Sequence, residues 1–233
     1  MKKNVVLAMT ICFTLAAING YGAALPSSPR FDASTFFPLT SGKRYVYKET
    51  TPEGSGMIRL QFGNPKKVKG ISILVTPVAE ITAKGGTGEI AYYSIDKVKG
   101  LINHGEDDIE AGCVERLNPG LLIPNGLAPG KTVKQSVNVK LTGTGCPKAS
   151  RCRYTITYEN NETVTVPMGT YKECAKIRIT EQWMNAADDI VSKGDKLIYL
   201  SPGIGLVKEI EFVSGGKETS ELTAVEADTS PAD

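Results

Sequence analysis

The stretch Arg153–Val166, RYTITYENNETVTV, decides the fold class of this chain. From Tyr154 to Tyr158, apolar residues alternate with polar ones, as in a strand that buries one face. Asn160 and Asn161 follow, and asparagine tolerates the left-handed backbone of a tight turn. The stretch therefore predicts a β-hairpin that turns at the two asparagines.

The same alternation recurs in the chain before this hairpin. It is found in Arg44–Glu49, Met57–Phe62, Glu89–Ile95 and Val133–Leu141, and Ile71–Ile81 is rich in β-branched residues, with Pro77 marking an edge or a bulge. No apolar series with helical spacing reaches a convincing length, and glycines punctuate the strands at short intervals. We predict a mainly β fold, a large antiparallel curved sheet or open barrel. A faint echo of residues 37–45 in residues 122–133 leaves a two-lobed form open.

The first 24 residues have the order of a secretory signal peptide. Basic Met1–Asn4 precedes the apolar run Val5–Ile18, and small residues lead to a predicted cleavage site after Ala24, with Ala23 as the alternative. The run is shorter than the ~20 residues of a membrane-spanning helix. Cys12 lies within the run and lacks a lipoprotein box. We expect an exported protein, periplasmic or secreted, without a lipid anchor or a membrane span.

Composition suggests one domain with loose ends. We assign residues 1–24 to the signal peptide, 25–34 to a flexible tail, 35–227 to a single β domain and 228–233 to a disordered tail. Removing Lys2 and Lys3 with the signal peptide reduces the 27 basic side chains to 25, equal to the 25 acidic ones. A chain without a basic excess is not expected to bind nucleic acid.

Four cysteines remain after export, and an even number in an oxidising compartment predicts two disulfides. They allow three pairings. The short loop between Cys146 and Cys152 favours that bond and leaves Cys113 with Cys174. No Cys-x-x-Cys spacing occurs, which argues against a zinc, haem or thioredoxin-like site.

The chain carries no constellation typical of an enzyme. Its one histidine, His104, lies in the polar stretch Asn103–Asp108, which is typical of a turn, and no nucleophile-elbow pattern occurs. The acidic pairs near Asp108 and Asp188 lack the spacing of a calcium loop. We therefore expect a protein without catalytic activity, cofactor or metal.

Three motifs carry a resemblance to a family. Phe37–Tyr47 resembles the opening FPLxxGxxWxY of uncharacterised exported bacterial β-sheet proteins, with Tyr45 in place of tryptophan. Val164–Cys174 resembles their VxVPAGTF segment, and Tyr199–Lys208 resembles their closing YxAPGVGLVK. The resemblance implies a domain of unknown function with a curved sheet like that of lipoprotein carriers. It implies no activity and no catalytic residue.

Two functions follow as hypotheses. The first is the binding of an apolar ligand, such as a lipid or an acyl chain, between the curved sheet and its loops. The second is a structural or protein-interaction role in the cell envelope, with an envelope protein as partner. An unfilled apolar cavity would favour the first, and a filled core the second. The candidate lining residues are Tyr45, Tyr47, Ile73, Val75 and Tyr92.

Overall fold

The computed structural model of the protein describes residues 30–82 and 85–227. The predicted signal peptide, residues 25–29 and the predicted tail at 228–233 lie outside the described residues. Among the described residues, no helix is both long enough and apolar enough to cross a bilayer. The elements are α1 (Ala33–Phe36), β1 (Lys43–Thr51), β2 (Gly54–Phe62), β3 (Lys66–Lys67), β4 (Leu74–Ile81), β5 (Thr87–Asp96), β6 (Gly100–Asp108), β7 (Cys113–Asn118), β8 (Leu121–Pro124), β9 (Lys131–Gly143), β10 (Arg151–Val166), β11 (Gly169–Met184), β12 (Ile190–Ser201), β13 (Gly205–Val213) and β14 (Gly216–Ala227).

The strands form a closed antiparallel barrel. The order of the sheet is β2-β1-β14-β13-β12-β11-β10-β9-β7-β6-β5-β4-β3, and a further pairing between β2 and β4 closes it into twelve strands. In the closing pair, Phe62 lies opposite Val78 and Leu60 opposite Glu80. Strands β3 and β8 pair with β4 and β6 outside this circuit. The predicted mainly β, antiparallel class is confirmed, and the sheet is one closed barrel rather than an open sheet or two lobes.

The turn predicted at Asn160 and Asn161 is wrong. Both asparagines lie within β10, which continues for 16 residues to Val166, and the chain turns at Pro167 and Met168 before β11. The register between β10 and β11 shifts on either side of the asparagine pair. A β-bulge bends a strand without ending it. The asparagines therefore mark a bend, which lets the hairpin tip reach β14, where the Met168 amide donates to the Leu222 carbonyl over 3.1 Å.

One end of the barrel is filled by the segment 30–38. Asp32 caps α1 by accepting from the Thr35 amide. Phe31 and Phe36 stack with ring centroids 5.6 Å apart and are buried in the main core cluster. The prediction of a flexible tail at 25–34 is therefore wrong for residues 31–34. The prediction extended the tail to them because they follow a stretch rich in proline and serine. We call the end of the barrel that the segment 30–38 fills the closed end.

The predicted cysteine pairing is also wrong. The structure joins Cys113 to Cys146, and Cys152 and Cys174 are free thiols buried in the core. Cys113 lies opposite Gly143, so the loop after β9 carries Cys146 back to β7. Cys152 and Cys174 lie on neighbouring strands ten register positions apart, about 30 Å at ~3.3 Å per residue, far beyond disulfide reach.

Candidate functional site

The barrel encloses a cavity of about 460 Å³. Cavities of this volume lie within the range of small-molecule sites, ~300–1,000 Å³. A barrel of twelve strands is wider than a barrel of ~8 strands, whose interior the side chains alone can fill. In this barrel α1 and its neighbours fill the closed end, and the cavity occupies what remains.

The part of the cavity nearest the closed end is apolar and rich in aromatic rings. Phe37 lies 5.4 Å from Tyr93 and 6.3 Å from Phe62 between ring centroids, and Tyr45 lies 5.1 Å from Phe62. The Tyr47 hydroxyl donates to the Leu206 carbonyl over 2.8 Å, which satisfies the one polar atom of that buried side chain. Leu101, Ile123, Ile198, Leu200 and Ile204 complete this apolar wall.

The opposite part of the cavity is acidic. On several strands, an inward position towards the opposite end of the barrel holds a glutamate, and inward positions nearer the closed end hold apolar residues. In β1, Glu49 follows Tyr45 and Tyr47, and in β11, Glu181 follows Ile179. We call this end the acidic end. The inward glutamates are Glu49, Glu80, Glu89, Glu106, Glu115, Glu181, Glu209, Glu211 and Glu218.

Lys196 is the one basic side chain among the cavity-lining residues that the structure describes. Its Nζ lies 3.7 Å from a carboxylate oxygen of Glu209. The Glu209 carboxylate is the largest cause that raises the pKa of the Lys196 ammonium above its usual range. The side chain is 39% exposed because it faces the space inside the barrel.

Several inward glutamates hold protons more tightly than a glutamate in water. Burial raises the pKa of Glu80 and of Glu115 from 4.5 to about 7. Burial, followed by repulsion from Glu106, raises the pKa of Glu89. Burial, followed by repulsion from Glu115, raises the pKa of Glu106. Loss of solvation and mutual repulsion both disfavour the charged form of a carboxyl group.

A glycine makes room for one of these carboxylates. Glu181 lies opposite Gly194 on β12. A Cβ atom at position 194 would lie 2.3 Å from Oε1 of Glu181, closer than two such atoms approach. The absence of a side chain at Gly194 therefore lets the Glu181 carboxylate lie against the wall, beside Trp183, which also lines the cavity.

Of the five lining residues predicted from the sequence, two lie in the cavity wall. Tyr45 and Tyr47 line it. The other three are wrong. Ile73 precedes β4 and is 46% exposed, whereas Val75 is buried but does not line the cavity.

Tyr92 lies on the outer face of the barrel. Its hydroxyl donates to Asp107 over 2.7 Å, and the Arg116 guanidinium lies 5.0 Å from its ring centroid. Its neighbour Tyr93 faces inward. The sequence does not say which of two adjacent tyrosines faces inward, because both satisfy an alternating pattern. Glu89, Ala91 and Tyr93 line the cavity, so Tyr92 has the outward parity.

Sequence reasoning missed the inward glutamates altogether. A carboxylate in an alternating strand is normally assigned to the solvent face. The available signal was phase, because Glu49 falls at the same parity as Tyr45 and Tyr47, and Glu181 at the same parity as Ile177 and Ile179. Residues of one parity share one face of a strand.

The polar stretch around His104 is not a turn, because it belongs to β6. The His104 ring lies 2.8 Å from the Ser94 hydroxyl and does not line the cavity. Within the described part of the chain, no three His, Cys, Asp or Glu side chains are arranged to hold a metal ion.

The three sequence motifs lie at the closed end of the barrel and in two turns between strands. Phe37 and Pro38, from the first motif, line the cavity at the closed end. The third motif forms the turn between β12 and β13, where the Gly203 amide donates to the Thr35 carbonyl over 2.7 Å. The second forms the tip of the β10–β11 hairpin.

Comparison with protein-family models and with curated protein sequences gives no match. Two solved structures share the fold. One, from Parabacteroides distasonis, is described as a "putative lipoprotein"; it has a TM-score of 0.51 and 16% identity, over 84% of this chain and 100% of that one. The other, from Bacteroides fragilis, is described as a "putative exported protein" with a YmcC-like fold; it has a TM-score of 0.50 and 16% identity, over 82% and 99%. At 16% identity, both likenesses show the fold alone.

Proposed function

We propose that this protein is an exported binding protein that holds a small ligand with an apolar part inside its barrel, in the periplasm or outside the cell. The observation that carries the proposal is the unfilled cavity of about 460 Å³. Its wall near the closed end is apolar. Covering apolar surface that faces an unfilled space with an apolar part of a ligand lowers the free energy of the system.

The architecture supports binding over a purely structural role. A structural barrel gains stability by filling its interior, as this chain does with Phe31 and Phe36 at the closed end. Residues 144–150 and 185–189, in two loops at the acidic end, do not line the cavity. Because the segment 30–38 fills the closed end, the ligand would enter past the acidic end.

The role that we propose is binding without catalysis. The one histidine is engaged with Ser94 away from the cavity, and the free thiol of Cys152 is buried with its pKa raised to about 12. Such a thiol is a poor nucleophile at neutral pH.

Native mass spectrometry of the mature protein, purified from the cell envelope without detergent, tests this proposal. We expect a bound small molecule, and we expect Ala91→Phe to remove it because Ala91 lines the cavity. Ala79→Phe is the matched control, since Ala79 lies in β4 between the inward residues Val78 and Glu80 and faces the other way.

A mass without ligand for the wild-type protein, together with a stoichiometric protein partner, would replace the proposal with the interaction role. Ligand retained in the Ala91→Phe variant would place the site outside the barrel.

A further inference from the structure

We infer that the ligand is an amphiphile with a positively charged group, such as a protonated amine or a guanidinium. The cation would lie among the inward glutamates and the apolar part would point to the closed end. This inference rests on the proposed function and names the chemistry of the same cavity.

The first step is the charge balance of the cavity. Nine glutamates and one lysine line it. Carboxylates withdrawn from water must be protonated or meet a cation, because an unpaired charge in a poorly solvated site is costly. Lys196 can balance one of them, and it lies beside Glu209. A ligand cation would replace protons that Glu80, Glu89, Glu106 and Glu115 otherwise hold, because burial raises the pKa of each of these carboxyl groups.

The second step is that the cavity already accommodates an ammonium group. Lys196 presents one to Glu209 from β12, and the surrounding carboxylates stabilise it in its charged form. The same surroundings would stabilise a second primary ammonium more than a neutral hydroxyl, and would repel a carboxylate.

The third step is the separation of the two chemistries along the barrel. The aromatic and aliphatic wall formed by Tyr45, Phe62 and Leu200 lies towards the closed end, and the glutamates lie towards the acidic end. A ligand that is apolar throughout would leave the carboxylates without a partner. A small inorganic cation would leave the apolar wall uncovered, and the described residues do not gather three carboxylates into a metal site. An amphiphilic cation satisfies both parts.

Three probes with the same chain length test the inference. They are decylamine, decanol and decanoate, each kept below the concentration at which it aggregates. Trp183 is the single tryptophan of the chain and lines the cavity, so its fluorescence reports binding directly. We expect decylamine to bind at pH 7.5 with a Kd at least tenfold below that of decanol, and decanoate to bind more weakly than either.

The pH dependence provides a second readout on the wild-type protein. Decylamine stays protonated between pH 5.5 and 8.5, whereas Glu80 and Glu115, whose pKa values burial raises to about 7, lose protons over this range. We therefore expect the Kd of decylamine to fall as the pH rises while that of decanol changes by less than twofold. The titratable groups that face the cavity are the inward glutamates, Lys196, Tyr45, Tyr47, Tyr93 and Tyr154.

Variants locate the effect. Glu89→Gln combined with Glu106→Gln should reduce the preference for decylamine over decanol at least fivefold. Glu221→Gln is the matched control, because Glu221 pairs with Lys208 over 2.6 Å and does not line the cavity. Circular dichroism establishes that each variant is folded.

The outcomes separate the two proposals. Equal affinities for the three probes, or tightest binding of decanoate, would overturn the inference and leave the binding function in place. Absence of any probe binding would overturn both. A preference for decylamine that survives the Glu89 and Glu106 substitutions and is insensitive to pH would also overturn the inference.

Discussion

At the scale of single residues, the inward glutamates are held in place by the strands and carry a cost in stability. A carboxyl group whose pKa is higher in the folded than in the unfolded protein binds more protons when folded. Glu80 and Glu115, with pKa values raised to about 7, are two such groups, and Glu89 and Glu106 shift in the same direction. Their effect on the free energy of unfolding therefore has a definite sign.

We predict that the protein without ligand becomes less stable as the pH rises from 5 to 8.5. The raised pKa values mean that protonation favours the folded state, so this stabilisation is complete below about pH 4.5 and is lost as the pH passes through about 7. We expect the midpoint of thermal unfolding to fall by roughly 5–10 °C, about 2–3 kcal/mol in a chain of this length.

The double substitution Glu80→Gln and Glu115→Gln should flatten this dependence, whereas Glu221→Gln on the outer face should preserve it. A midpoint that rises between pH 5 and pH 8.5 would show that the inward glutamates are not buried in the way described here.

The four cysteines among the described residues give a second prediction at this scale. After unfolding without a reductant, two thiols should react with iodoacetamide, and peptide mapping should recover Cys113 linked to Cys146. In the folded protein, Cys152 should resist alkylation because burial raises its pKa to about 12. Four protected cysteines, or a peptide that links Cys152 or Cys174, would contradict the structure.

At the scale of elements, the segment 30–38 before β1 fills the closed end of the barrel. Phe31 is 1% exposed and stacks on Phe36, and its amide donates to the Leu127 carbonyl over 2.9 Å. This segment precedes the strands in the chain and yet lies among β6, β8 and β10 in the core. Its burial sets the depth of the cavity.

We predict that Phe31→Ala lowers the free energy of unfolding by about 3–5 kcal/mol, the usual range for removing a buried phenylalanine ring. Phe212→Ala is the matched control, because Phe212 is 43% exposed and the Arg178 guanidinium lies 5.6 Å from its ring centroid. That change should cost less than about 1 kcal/mol. Urea denaturation measures both, and equal losses would mean that the segment 30–38 does not fill the closed end.

The sequence predicts most strands because a half-buried strand carries its own period-2 pattern. It does not predict the hairpin turn, since a residue pair such as Asn160-Asn161 suits a bulge as well as a turn. It also does not predict that Phe31 is buried, because the partners of a loop residue come from distant strands. Tyr45 and Tyr47 lie in the cavity wall, whereas Tyr92 has the opposite parity to the inward residues Ala91 and Tyr93 of its strand.

At the scale of the whole molecule, closure of the sheet creates the site. The pairing of β2 with β4 brings the inward faces of twelve strands around one space, and inward glutamates from separate strands meet across it. Neither the closure nor this encounter has a local signature in the sequence. The sequence shows only that glutamates and apolar residues share the same parity within individual strands, and therefore the same face.

The barrel therefore presents one cavity with two chemistries, apolar towards the closed end and acidic towards the other. A crystal structure of the protein with 10-bromodecylamine, with the bromine located by anomalous scattering, tests this account most directly. The account predicts a bromine peak inside the barrel within about 4 Å of Phe62 or Leu200, with the amine among the inward glutamates. A bromine found only on the outer surface, or one lying among the glutamates with the amine at the closed end, would contradict it.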